Sequence, residues 1–309
     1  MILDPSNQIN LIGHQSHLLD LVNLYLKNNL PNKILLSGEK GIGKCTLSYH
    51  LINYILSYNE EHPYNIKNFQ INNKNKDFIL THNKTNPNFT LIDVDPDKKI
   101  IDIQKIRNLI INLNKSSFNL KPRFVLIDNI ELLNVNSVNA LLKILEEPNE
   151  NINFILINNN KKILSTLKSR CLNFKISLTY NQSIDITNTI LNENINNILN
   201  KELINHYITP GYLLKLIEFK NTHNLDLKNL NLKNFISQII MEKKYKKEIT
   251  IKNLLYSLIE LYFRKNISIR NINLISMKNY FLKKINDTKN FNLDEDVLFI
   301  EFEDKVLNG

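Results

Sequence analysis

The segment KILLSGEKGIGKCT, residues 33–46, decides the fold. Lys33–Gly38 is a short apolar run ending in glycine, which reads as a strand, and an amphipathic stretch from Lys44 to Leu56 reads as a helix. Between them Gly38, Gly41 and Gly43 let backbone N–H groups close around phosphate oxygens at the positive end of that helix. Lys44 sits where its ammonium can reach terminal phosphates. Strand, glycine loop and helix in this order predict a phosphate-binding loop; a chance glycine-rich turn is the plain alternative.

Working outward, the same alternation recurs. Phe89–Asp93 (FTLID) and Phe124–Asp128 (FVLID) are strand candidates ending in an acid, and Phe154–Ile157 is a fourth strand. Ile103, Ile106, Ile110 and Leu113 recur at helical spacing, as do Val138, Leu141, Leu142 and Leu145 in a helix that Pro148 stops. Ser137 is placed to cap or begin that helix. Repeated strand–helix units predict an α/β domain over residues 1–177, a parallel sheet with helices on both faces. From 57 to 88 the pattern lapses into Asn, Lys and Tyr, which reads as a long surface insertion. Beyond residue 178 strand signals fade. Ile184–Leu199 and Tyr212–Phe219 read as helices punctuated by Pro210-Gly211, giving a small helical domain over 178–222 and a C-terminal helical domain over 223–309.

The loop carries two defects. An active phosphate loop places Ser or Thr after its lysine to ligate magnesium; here that residue is Cys45, and a neutral thiol is a poor ligand for a hard cation. Thr46 is one position along and points elsewhere on the helix. Asp128 matches the strand-end acid that supports the metal. The next residue is Asn129, which cannot take a proton from an attacking water, and Glu131 is expected to face away. These positions allow weak ATP or ADP binding and argue against productive magnesium–nucleotide geometry. No cofactor is required, and the metal expectation is none.

Hydrophobic content of 43% and charged content of 22% suit a globular chain, and no run of about 18 apolar residues is present to span a membrane. The first twelve residues lack the basic start and apolar run of a signal peptide, and two cysteines are too few for a disulfide framework or a four-cysteine zinc site. Both features favour the cytoplasm. The net charge of +9 fits contact with a polyanion, and equally fits lysine drift spread along an Asn- and Lys-rich chain.

Three further blocks complete a pattern. Ile12-Gly13-His14 and Leu30-Pro31-Asn32 precede the loop; SVNALLKILEEP occupies residues 137–148; Ser169-Arg170-Cys171 follows the fourth strand and a short helix. In this order and spacing the chain resembles the AAA+ clamp-loader family of bacterial DNA polymerase III across residues 12–171. The resemblance implies a RecA-like domain, a helical lid and a helical collar in a five-subunit ring with gamma/tau and delta subunits. It also implies primer–template DNA within the ring and indirect contact with the β sliding clamp. In that family the Arg of the Ser-Arg-Cys block enters a neighbour's ATP site. That implies a catalytic role in trans for Arg170 and a core role for Cys171. The lid arginine that senses nucleotide falls at Tyr212, a third departure. Some relatives carry a zinc module after the first helix; the cysteines are missing here, so no zinc is expected. Asn158, near a phosphate-sensing position, carries little information in so Asn-rich a chain.

The leading expectation is therefore a non-hydrolysing ring component. An active gamma/tau-like P-loop ATPase, with Glu131 replacing the missing base, is the alternative. A free-standing DNA-binding module, suggested by charge alone, is weaker.

Overall fold

The computed structural model describes residues 4–95, 98–115, 119–146, 151–204, 208–246, 249–266, 272–291 and 293–308. It contains two compact units: residues 1–186 with 209–211, and residues 187–208 with 212–309.

The first unit is built on five parallel strands, β1 (Lys33–Ser37), β2 (Phe89–Ile92), β3 (Arg123–Ile127), β4 (Ile152–Asn158) and β5 (Leu172–Lys175), in the order β2-β3-β4-β1-β5. Period-two alternation splits β1, β3 and β4 between two cores. Ile34, Leu36, Phe124, Leu126, Ile155 and Ile157 enter one apolar cluster. Leu35, Val125, Ile127, Phe154 and Leu156 enter the other. The first cluster is covered by α1 (Gln15–Leu26) and α2 (Lys44–Ser57), which contribute Leu18, Leu21, Leu47 and Leu51. The second is covered by α4 (Ile103–Leu113), α5 (Val135–Glu146) and α6 (Ser165–Lys168), through Ile106, Leu109, Leu141, Leu145 and Leu167. A parallel sheet needs both faces buried, and the two stripes supply that. The expected α/β fold, a parallel sheet with helices on both faces, is the one observed.

Three local expectations are corrected. The 57–88 segment is only in part a surface insertion. Tyr64 and Ile71 join the first core, and α3 (Lys76–His82) is capped by Asn75, whose side chain accepts from Phe78 N. Its buried polar groups satisfy one another. Asn75 donates to Glu60, Asn86 to Asp77 and Asn88 to Asn119, and Lys121 pairs with both Asp77 (2.6 Å) and Glu60. The buried share of its polarity forms an internal network, while residues such as Lys67, Lys74 and Lys84 face solvent. At α5, Asn134 rather than Ser137 makes the cap bond, accepting from Ser137 N at 2.8 Å; the Ser137 hydroxyl donates to the Ile101 carbonyl. Pro148, expected to end α5, lies outside the described residues.

The helix expected over Ile184–Leu199 is two, α7 (Tyr180–Leu191) and α8 (Ile195–Ile198). Asn192 takes the left-handed conformation (φ 53°), and the Asn194 side chain caps α8. In the second unit α9 (Pro210–His223, from Tyr212 on) is followed by α10 (Leu232–Met241), α11 (Ile249–Asn266), α12 (Ile272–Phe291) and α13 (Glu295–Phe302). Its core is mainly Leu and Ile with an aromatic cluster, in which Phe302 meets Phe263 at 5.6 Å and Phe281 at 5.3 Å, both edge to face. Among the described residues no helix is long and apolar enough to cross a membrane.

Candidate functional site

The glycine loop leaves β1 at its C-terminal end, and Gly41 (φ 86°) and Gly43 (φ 95°) take left-handed conformations that only glycine adopts without strain. The loop is held from several sides. Gly38 N–H donates to the Asn158 carbonyl of β4 at 3.2 Å, and Gly211 N–H donates to the Gly41 carbonyl at 2.8 Å. The His14 ring, buried, donates from Nε2 to the Ile42 carbonyl at 2.5 Å.

Lys44 is only 3% exposed. Its ammonium donates to the Gly38 carbonyl (2.9 Å), the Glu39 carbonyl (2.6 Å) and Asn159 Oδ1 (3.0 Å). An ammonium has three N–H donors, so these acceptors match its full capacity. Burial lowers its pKa to about 8 although the Asp128, Glu131 and Glu39 carboxylates oppose the shift.

Asp128 follows β3, with one oxygen accepting from Asn129 N at 2.8 Å. Burial, and then the Asp93 charge, push its pKa up to about 6. Burial pushes the Cys45 thiol well up, and the Asp128 carboxylate facing it adds to the shift, so Cys45 is a neutral thiol at pH 7. This donor set does not fit magnesium. The position that should offer a hydroxyl offers a protonated sulfur, and hard cations take oxygen. Thr46 lies in the first turn of α2, partly exposed.

Asn129 is in the left-handed region (φ 55°) and is tied on both sides: its Nδ2 donates to Asp93 Oδ1 (2.8 Å), and its Oδ1 accepts from Asn159 Nδ2 (2.9 Å). Glu131 does not face away as expected. The short 3₁₀ turn at Ile130–Leu132 swings its carboxylate back, and it accepts from Asn159 Nδ2 (2.9 Å) and Asn159 N (3.3 Å). Asn159 is thus the hub joining Lys44, Asn129 and Glu131, and sequence reasoning missed it. Its neighbour Asn158, the residue singled out, instead closes a turn with the Lys161 backbone. The one available signal was position just past β4, diluted by three consecutive asparagines.

Arg170 belongs elsewhere. It lies two residues before β5, whose Leu172 is level with Ile34 and whose Lys175 is level with Ser37. The sheet is parallel, so Arg170 sits at its N-terminal edge while the glycine loop leaves the C-terminal edge; β5 alone separates the two by roughly 10 Å. Its guanidinium contacts are Glu146 Oε1 (2.5 Å) and the Thr166 carbonyl (2.8 Å), none of them in the loop. Cys171, next to it, packs against the second apolar cluster. Of the Thr209–Tyr212 stretch, Thr209–Gly211 group with the first unit and Tyr212 with the second, where burial raises the Tyr212 phenol.

Residues 13–179 match the family described as "DNA polymerase III, delta subunit". The chain is similar to DNA polymerase III subunit gamma of Buchnera aphidicola subsp. Schizaphis graminum, 27% identical over 81% of this chain and 68% of that one. It is also similar to DNA polymerase III subunit delta' of the same organism, 28% identical over 51% of this chain and 46% of the relative. The chain therefore spans about two thirds of one relative and under half of the other, and the likeness does not choose between the two names. A solved gamma subunit-related protein of Thermotoga maritima aligns with 91% of this chain and 96% of its own at TM-score 0.48 and 18% identity. At that level the fold assignment rests on the sheet topology above.

Proposed function

This chain belongs to the DNA polymerase III, delta subunit family, and from that premise we propose that it is the delta prime-type, non-hydrolysing subunit of a bacterial clamp loader. Arg170 serves the ATP site of an adjacent gamma/tau subunit. The partners are gamma/tau and delta, with primer–template DNA inside the ring and the β clamp met indirectly, in the cytoplasm. The chain divides into a RecA-like domain (1–177), a lid (178–222) and a collar (223–309).

One observation carries this reading: the opposition of Arg170 and the glycine loop across the sheet. A parallel sheet puts the residue before β5 and the loop after β1 at opposite edges, so Arg170 cannot bend back to its own nucleotide site. It can meet one carried by another chain. There a planar, permanently charged guanidinium stabilises charge on γ-phosphate oxygens during transfer to water. The chain's own loop supports the same division, since Lys44 spends its donors on protein acceptors and Cys45 is a neutral thiol.

The test is DNA-stimulated ATP turnover of the loader reconstituted with its gamma/tau and delta partners. Arg170→Ala is expected to remove the turnover of the site it serves; in other phosphoryl-transfer enzymes such an arginine is worth about 10³–10⁵ in kcat. Unchanged turnover in that variant, at equal assembly, sinks the proposal.

A second reading has one observation in its favour. The Glu131 carboxylate reaches the Lys44 network through Asn159 and could stand in for the base missing at Asn129. Magnesium-dependent turnover by the pure chain, abolished by Glu131→Gln, would establish an active ATPase instead.

A further inference from the structure

Arg170 is not left loose at the sheet edge. Its Nη2 donates to Glu146 Oε1 at 2.5 Å and its Nη1 to the Thr166 carbonyl at 2.8 Å. Glu146 ends α5 directly after Leu145, and Arg170 stands between Leu167 and Cys171; those three flanking residues pack into one apolar cluster. The backbone under both partners is therefore fixed by the core, and the ion pair fixes the side chain above it. A guanidinium has five N–H donors, and two are used here. The Arg170 side chain remains 33% exposed, so it is oriented and still accessible.

We infer that Glu146 is a positioning residue for Arg170, setting the plane and direction of the guanidinium that is offered to the polyphosphate of ATP bound on the adjacent subunit. The inference rests on the trans role proposed for Arg170. The physical argument is preorganisation. A free arginine on a surface loop samples many rotamers, and docking against a neighbour's phosphate must freeze them. Here that restriction is present before the neighbour arrives, and it holds the remaining donors in one geometry. The Glu146 side chain is 52% exposed, so its charge is well screened and does not withhold the arginine. A triphosphate, with several charges, outcompetes a single hydrated carboxylate for the open edge of the fork. The same exposure means the pair contributes little to stability. Positioning and folding roles therefore predict different results.

The experiment is steady-state ATP turnover of the reconstituted loader against ATP concentration, with Glu146→Ala, Glu146→Gln, Arg170→Ala and the double variant Glu146→Ala/Arg170→Ala. Assembly and thermal unfolding are measured on the same samples. The turnover lost on Arg170→Ala sets the scale. Glu146→Ala should lose roughly two-thirds of that Arg170-dependent turnover through kcat, because an exposed pair of this kind restrains a long side chain by about a few-fold. KM for ATP should stay unchanged, since the neighbour binds the nucleotide. Glu146→Gln keeps an acceptor oxygen at the same reach and should recover part of the loss. The double variant should be no slower than Arg170→Ala. Turnover in Glu146→Ala equal to or above wild type overturns the inference, as does a fall that tracks lost assembly or a lowered unfolding midpoint. If Arg170→Ala is itself silent, the trans reading fails; if it is slow while Glu146→Ala is normal, only the positioning role fails.

Discussion

Lowering the pH from 7 to 5 should destabilise the α/β unit through one buried histidine. His50 lies in the middle of α2, the helix that carries the glycine loop, and is fully buried. Its Nε2–H donates to the Gln8 carbonyl at 3.0 Å, and its Nδ1 accepts from the Tyr64 hydroxyl at 2.8 Å. The neutral ring therefore has both nitrogens satisfied, and it joins the N-terminal segment to the 57–88 segment. Burial lowers its pKa to about 4 against the raising effect of the Gln8 bond. A depressed histidine disfavours protonation in the folded state, so the unfolded chain binds more protons between pH 6.5 and 4. The stabilisation is complete above about 6.5 and is lost as pH falls towards 4. A gap of about 2.5 pKa units amounts to ~3 kcal/mol in full, of which ~2 kcal/mol is expressed by pH 5. His14 is lowered in the same direction, also mainly by burial, so a single titration curve is not diagnostic. The measurement is the difference in urea-unfolding free energy between wild type and His50→Gln at pH 7 and pH 5. The variant begins less stable and should lose ~2 kcal/mol less across that interval. Parallel pH profiles, or an imidazole resonance of His50 titrating near 6.5, would refute the argument.

Two other perturbations test the packing around the site. Lys121→Met strips the ammonium from Asp77, whose side chain is only 6% exposed, and should cost about 3 kcal/mol in chemical denaturation; a loss under about 1 kcal/mol would mean the 57–88 segment is not anchored this way. In Gly211→Ala the new Cβ would lie 2.7 Å from Gly41 Cα and 2.9 Å from the Gly41 carbonyl oxygen. Neither backbone atom can yield without moving the loop, so a cost of about 1–3 kcal/mol and faster amide exchange at residues 38–44 are expected. Unaltered exchange there would show that the Gly41–Gly211 contact does not hold the loop.

Period and punctuation made much of this protein readable from its residues in order. Leu35, Val125 and Phe154 against Ile34, Phe124 and Ile155 already spell two-sided burial, and the glycines at 38, 41 and 43 already spell a loop that closes on itself. Cys45 after Lys44 marks a poor metal site wherever the chain runs, because ligand hardness is a property of the atom. Other features needed the folded chain. Glu131 lies two residues past Asn129, and nothing in the sequence marks the 3₁₀ turn at Ile130–Leu132 that brings its carboxylate back to Asn159. Asn159 carries no signal in so Asn-rich a sequence until its amide is placed between Lys44, Asn129 and Glu131. Hydropathy counts every asparagine of the 57–88 segment as wet, whereas the side chains of Asn75, Asn86 and Asn88 exchange water for Glu60, Asp77 and Asn119.

Local order along the chain thus determined which elements form, which faces they bury and which ligand atoms the loop offers, since backbone preference and side-chain chemistry act at the residue itself. Only tertiary structure decided which partner each charged group meets. Lys44 with Asn159, Lys121 with Asp77 and Arg170 with Glu146 are 115, 44 and 24 residues apart, and electrostatic interaction depends on distance in space rather than separation in sequence.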